Sequence, residues 1–365
     1  MKKTFLKILV VALSALLALA VFTACGGYTG TTKKDWGETD GYANGGFVRE
    51  TENYVYFING QGTNTVSNKY GDPVKGSLAV ASKSEFGSSD MKAEIVVPKL
   101  FVATDYNAGV YIFGDYVYYA TPSTDKKPDG SIANTSLAFM RTKLDGTDTE
   151  EYFTISGLST EYRVVKAGED VLIVYYDSTD KELVSYNTTT KEETIIAKTD
   201  SKAEGESLAT YKFVDNSKID SAVVVYTTTV YAEDYDEEMA ESAGDNYSRK
   251  TEDYNKVYAY KAGEESAKLI LNGAATVDGG LETKYTLSFV KSGYLFFKKI
   301  DTENIGAEVT FMVAVDSFYN STINTSNIVE SASDVAETII VESQSEVYKL
   351  SDKNIVKTTF TGSPL

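Results

Sequence analysis

The groups that could do chemistry in this chain are carboxylates, tyrosines, lysines and hydroxyls, because its 365 residues include no histidine and one cysteine, Cys25. Without imidazole there is no Ser-His-Asp triad, no Cys-His pair and no HExxH zinc site. The densest carboxylates lie in Tyr231-Ala232-Glu233-Asp234-Tyr235-Asp236-Glu237-Glu238-Met239-Ala240-Glu241, a run that continues past Asp245 to Glu252-Asp253. Calcium takes about six to eight oxygen ligands and tolerates irregular geometry, so Asp234, Asp236, Glu237 and Glu238 are its candidate ligands. The run has neither the central glycine nor the closing glutamate of an EF-hand loop. A solvated acidic hairpin is the competing reading, since runs of like charge usually face water. No other cofactor is implied.

Two further acidic segments, Asp125-Lys126-Lys127-Pro128-Asp129-Gly130 and Asp145-Gly146-Thr147-Asp148, read first as turns. Aspartate bonds its own backbone there and glycine takes positive φ. Glycoside hydrolysis needs two carboxylates about 5 to 10 Å apart across a pocket, and among 53 acidic residues spacing ranks no pair above another. Most of the 27 tyrosines sit in strand-like runs, where they cover sheet faces. Tyr28, Tyr42, Tyr70, Tyr106, Tyr235 and Tyr247 fall in expected loops, where tyrosine gives rigid contact area for recognition.

The elements that must position these groups begin after a leader. Residues 1–24 open with Lys2, Lys3 and Lys7, continue through an apolar run from Ile8 to Phe22, and close on Thr23-Ala24 before Cys25. That is the three-part plan of a secretory signal. The apolar run is short for a spanning helix, which needs about 20 residues. The segment resembles a bacterial lipoprotein signal in which Thr23, Ala24 and Cys25 form the lipobox, with Phe22 departing from the usual aliphatic residue. The resemblance implies a diacylglyceryl group on the Cys25 thiol and anchoring on the extracytoplasmic face of a cell membrane. An ordinary signal or an uncleaved anchor with an incidental cysteine is the alternative. Residues 25–40 are small and polar and read as a flexible tether.

Once the leader's three lysines are gone, the formal charge of −18 becomes −21. Nucleic-acid affinity comes largely from lysine and arginine neutralising phosphates, so such a chain is not expected to bind DNA or RNA. A mature chain whose single cysteine is the lipidated one has no disulfide or thiolate metal site to hold it together. At 42% hydrophobic and 24% charged it is of ordinary globular composition, so its stability must come from burial.

Residues 41–365 repeat one theme, a short run of Val, Ile, Tyr, Phe and Thr bounded by Gly, Asn and Asp and answered by a second run of alternating pattern. Gly114-Asp115-Tyr116-Val117-Tyr118-Tyr119-Ala120 followed by Leu137 to Asp148 is the clearest copy, and about six can be traced. The stretch 231–254 is an acidic insertion between two strands of the fourth copy. No run after the leader keeps a helical period. Radial repetition is one way in which all-β chains limit exposed edges. The expected fold is therefore an all-β propeller of about six four-stranded blades.

The pairing of Asp115-Tyr116-Val117-Tyr118-Tyr119 with Arg141-Thr142-Lys143-Leu144-Asp145-Gly146-Thr147 resembles bacterial propeller domains of unknown function and, more distantly, YWTD-type propellers. The match is strong in this copy and degenerate in the others. It implies a fold and no established activity. The expectation is a lipid-anchored binding or interaction module for an envelope protein, a peptide or a glycan. A carboxylate-dependent carbohydrate enzyme and a solute-binding lipoprotein of a transporter are the alternatives. The latter fold alternates strands with helices, against the strand-only pattern here.

Overall fold

The structure, a computed structural model, describes residues 41–43, 48–50, 53–58, 76–89, 91, 93–102, 110–123, 136–157, 160–199, 204–214, 222–233, 236–243, 249–275, 281–291, 294–301, 309–314, 329–331, 339–341, 346–351 and 354–359. It is all-β with one short helix among these residues, and it divides into two compact units, Met1–Thr154 and Ile155–Leu365.

In the first unit β1 (Gly41–Ala43) precedes a four-stranded antiparallel sheet of β2 (Val48–Glu50), β3 (Tyr54–Ile58), β4 (Leu78–Ser82) and β5 (Ala93–Val97). The next sheet contains β6 (Val110–Phe113), β7 (Tyr116–Pro122), β8 (Ser136–Lys143) and β9 (Glu150–Ser156), with β1 added beside β6. Tyr42, expected in a loop, thus lies in a strand opposite Tyr111. One core joins both sheets through Tyr56, Val80, Val96, Ile112, Val117, Tyr119 and Met140. Phe101 lies flat on Tyr119 with ring centres 4.4 Å apart.

The second unit continues with β10 (Tyr162–Ala167), β11 (Asp170–Asp177), β12 (Glu182–Asn187) and β13 (Glu193–Lys198), paired in chain order. A second meander follows, of β14 (Glu206–Phe213), β15 (Ala222–Tyr231), β16 (Thr251–Lys261) and β17 (Lys268–Asn272). A third contains β18 (Thr283–Lys291), β19 (Tyr294–Asp301), β20 (Val309–Ala314) and β21 (Val329–Ser331). The last sheet has three strands, β22 (Ile339–Val341), β23 (Glu346–Ser351) and β24 (Asn354–Thr359).

The two faces of the β14–β17 sheet show why residues 222–226 of β15 read as a continuous apolar run. Val224, Tyr226 and Tyr260 pack with Leu172, Val174 and Leu183 of the preceding sheet. Val225, Val257 and Ala259, one residue out of phase, pack with Leu287, Leu295 and Phe297 of the following one. Side chains of a strand alternate between faces, so a strand covered on both sides needs an apolar residue at every position. Each large side chain so buried contributes about 1.5 to 3 kcal/mol. The outermost strand β13 is covered less, with none of its residues fully buried.

The acidic insertion is shorter than its composition implies, because Tyr231 still pairs with Thr251. It also contains the short helix α1 (Glu237–Ala243), whose seven residues are too few to show a helical period in the sequence. The carboxylate of Asp236 accepts the Met239 N–H at 2.9 Å and starts the helix as an N-cap. Glutamates in its first turn suit the positive end of the helix dipole.

Candidate functional site

Among the proposed calcium ligands, Asp236 is exposed and spends its carboxylate on the cap, and Glu238 is exposed on the helix. Glu237 is the first helical residue, while Asp234 lies outside the described residues, as do Cys25, Asp125 and Asp129. Tyr28, Tyr70, Tyr106, Tyr235 and Tyr247 lie outside them too. Asp145 sits in the turn expected of it. Its Oδ1 accepts from the Thr147 N–H at 3.0 Å and from the Thr147 hydroxyl, and Gly146 has φ +77°.

A concave polar site of a different make-up lies in the second unit, where turns of two adjacent sheets meet around a cleft of about 360 Å³. The first turn joins β10 to β11 through Gly168-Glu169, with Ala167 paired to Asp170. Gly168 has φ +62°, the conformation that the first place of a two-residue II′ hairpin turn requires. Asp170 and Leu172 are two residues apart on β11, and Asn187 stands opposite Leu172 on β12, so the three share one face. From the neighbouring sheet come Lys261, Ala262, Gly263 and Glu264, at the turn from β16 to β17.

Asp170 and Asn187 are fixed in place. Asn187 Nδ2 donates to Asp170 Oδ2 at 3.0 Å, while its Oδ1 accepts from the backbone N–H groups of Thr189 at 2.8 Å and Thr190 at 3.1 Å. Below, the Tyr260 ring is fully buried. Burial raises its hydroxyl above the ordinary tyrosine range, opposed by hydrogen bonds with Ser185 and with the Gly263 backbone. Tyr260 thus joins β12 to the β16–β17 turn. Gly263 has φ +88°, and a Cβ there would stand 3.0 Å from the Cβ of Ala167, so the two turns approach closely at this point.

Two other polar clusters tie strands together on sheet faces. Arg141 in β8 stands 4.4 Å over the Tyr116 ring and 5.9 Å from that of Tyr152, with Glu150 as its ion partner at 2.8 Å. In the second unit Glu206 accepts from Thr228 at 3.1 Å, from Tyr258 at 2.9 Å and from the Lys256 ammonium. Burial, then the Glu206 charge, raises both Tyr226 and Tyr258, whose rings stack at 5.3 Å. Here the tyrosines pack and brace.

Each turn of the cleft is legible in sequence as a turn, through Gly168, Asn187 and Gly263. Their convergence is not, because it depends on how one sheet lies against the next. Among the described residues no three Asp, Glu or Cys side chains are grouped as metal ligands would be.

No protein-family model and no curated protein matches the chain. Similar solved structures include a puromycin-hydrolyzing peptidase of Mycobacterium tuberculosis, at 12% identity and a TM-score of 0.35 over 69% of this chain and 37% of that one. TolB from Acinetobacter baumannii is similar at 7% identity and a TM-score of 0.27 over 66% of this chain and 47% of that one. The β-propeller domain of the Trilobed protease from Pyrococcus furiosus is similar at 10% identity and a TM-score of 0.23, over 89% and 92%. The chain spans less than half the length of the first two. At these scores the likenesses set neither activity nor partner, and the architecture rests on the sheet order of the chain itself.

Proposed function

We propose that the chain is a propeller-type binding module of about six blades, held by lipid at Cys25 on the extracytoplasmic face of a bacterial membrane, and that it acts by binding and not by catalysis. The observation that carries this reading is the succession of four-stranded meanders in chain order, with the β14–β17 sheet giving opposite faces to its two neighbours. A propeller presents the turns of its blades on two rims, where a partner meets several of them at once. An apolar leader that ends at the single cysteine of the chain supports the anchor. Two fatty chains, each contributing about 0.8 kcal/mol per buried methylene, hold a protein at a membrane without a spanning segment.

The partner is an envelope protein, a peptide or a glycan, met without nucleic acid or cofactor. Expression of the full chain in a bacterial host with labelled palmitate tests the anchor: the wild type takes label and partitions into detergent, and Cys25→Ser does neither. Label kept by the variant would remove the anchor at Cys25. Capture from envelope extracts, together with a glycan array, tests the binding role. Hydrolysis of chromogenic glycosides by a chain that captures nothing would replace it with the carboxylate enzyme.

A further inference from the structure

We propose that the cleft around Asp170, Asn187 and Glu264 holds one neutral sugar unit of a glycan, an inference that deepens the binding-module reading and rests on it. The argument starts from what the lining can offer. Asp170 and Glu264 bring carboxylate acceptors, Lys261 an ammonium donor, and Gly168 and Gly263 exposed backbone. A hydroxyl both donates and accepts, so a ring bearing several of them can answer acceptors and donors in the same lining. An anion meets two carboxylates on a chain that is already strongly acidic, and a simple cation meets Lys261.

The size is suitable, since about 360 Å³ lies at the low end of ligand pockets and is large enough to admit one sugar ring. Leu172 and Ala262 supply an apolar strip for the C–H face of such a ring. Pre-organisation is the stronger point. Asp170 is already aimed by Asn187, Asn187 by two backbone N–H groups, and the turn of Gly263 by the buried Tyr260 hydroxyl. Asp170 and Asn187 have little side-chain freedom left to lose, so a weak polar ligand keeps more of the contact energy it gains from them.

The test uses the full-length chain in detergent, labelled at glycine, and follows the amide resonances of Gly168 and Gly263 while glucose, galactose, arabinose or N-acetylglucosamine is added. At least one of these sugars is expected to shift both resonances to saturation. Asp170→Asn and Glu264→Gln should each weaken that sugar about tenfold, the loss expected from one hydrogen bond to a charged group. Glu264 is exposed, so its variant keeps the fold and the wild-type melting temperature. No response from either glycine, or an affinity unchanged in both variants, overturns the assignment, as does a basic peptide that moves these resonances where sugars do not. Glycan-array binding that survives both substitutions would reject the cleft and leave the binding module standing. A chain that captures nothing from arrays or envelope extracts removes the module itself.

Discussion

Asn255 in β16 holds the backbone of Tyr285 in β18 from both sides, its Oδ1 accepting the Tyr285 N–H at 2.7 Å and its Nδ2 donating to the Tyr285 carbonyl at 2.8 Å. The two strands belong to different sheets, so a side-chain amide continues the hydrogen-bond ladder where the backbone of β16 cannot. Replacing Asn255 by Ala removes both bonds and leaves a strand-edge N–H and C=O to find water. We expect a loss of about 2 kcal/mol, two hydrogen bonds at about 1 kcal/mol each, read from the urea midpoint at unchanged slope. Asn255→Asp keeps the acceptor but turns an oxygen towards the Tyr285 carbonyl, and should be no more stable than the alanine variant.

The same junction depends on Gly273 for space. Its N–H donates to the Asn255 carbonyl at 3.0 Å and its carbonyl accepts the Thr283 N–H at 2.8 Å. A Cβ on Gly273 would stand 2.0 Å from the Thr283 oxygen and 2.8 Å from that of Asn255, both backbone atoms that cannot swing aside. Gly273→Ala is therefore expected to cost about 3 kcal/mol, at the upper end of overpacking. Gly168→Ala is the control, because among the described residues nothing stands within 4 Å of its Cβ and only its φ of +62° is strained. That variant should lose about 1 kcal/mol. Equal losses in the two urea titrations would refute the steric account of Gly273.

The contrast between these glycines shows what the sequence disclosed and why. Gly168 and Gly114 announce their turns by local rules, and β7 and β11 announce themselves by dense Val, Ile and Tyr runs, because strand preference and turn chemistry are local. The strand β14 (Glu206–Phe213) mixes Glu, Ser, Ala and Lys with its apolar residues, and only its place beside β15 makes it a strand. The helix α1 was masked by its charge, since seven residues are too few for a period and the cap is one aspartate among many acids. The cleft depended on neither. Asp170 and Glu264 are 94 positions apart in the chain and come together through sheet packing, which leaves no local mark.

The acidic excursion should behave as a capped helix and not as a calcium loop. Asp236→Ala removes the acceptor for the Met239 N–H, a loss of about 1 kcal/mol confined to α1. Met239 is 58% exposed, so the helix adds little to the core and the global urea midpoint should stay put. Limited proteolysis is expected to cut the variant faster within residues 232–250. Melting temperatures of the wild type in calcium and in chelator should coincide. A rise with calcium that Asp236→Ala abolishes would restore the carboxylates as metal ligands.

Alkaline stability offers a test of the first unit's core through Tyr119, whose ring stacks on Phe101 and whose hydroxyl meets that of Thr142 at 2.8 Å. Burial pushes the phenol up from the usual 10.0 to about 12, partly opposed by the Thr142 bond. The folded chain therefore keeps a proton that the unfolded chain gives up. The stabilisation is complete below pH 10, is lost as pH climbs from 10 towards about 12, and changes no further beyond. Across that window one such group takes away about 1.4 kcal/mol per pH unit. Tyr119→Phe keeps the stack and the Thr142 hydroxyl retains Thr149 as a partner at 3.0 Å, so the cost near neutral pH should be about 1 kcal/mol. Phenylalanine has no proton to lose, so the variant falls less steeply and should overtake the wild type near about pH 11, where the linkage loss equals the lost hydrogen bond. Urea titrations of both proteins from neutral to strongly alkaline pH measure this. Parallel curves throughout would mean that the Tyr119 phenol ionises in the folded chain as readily as in the unfolded one.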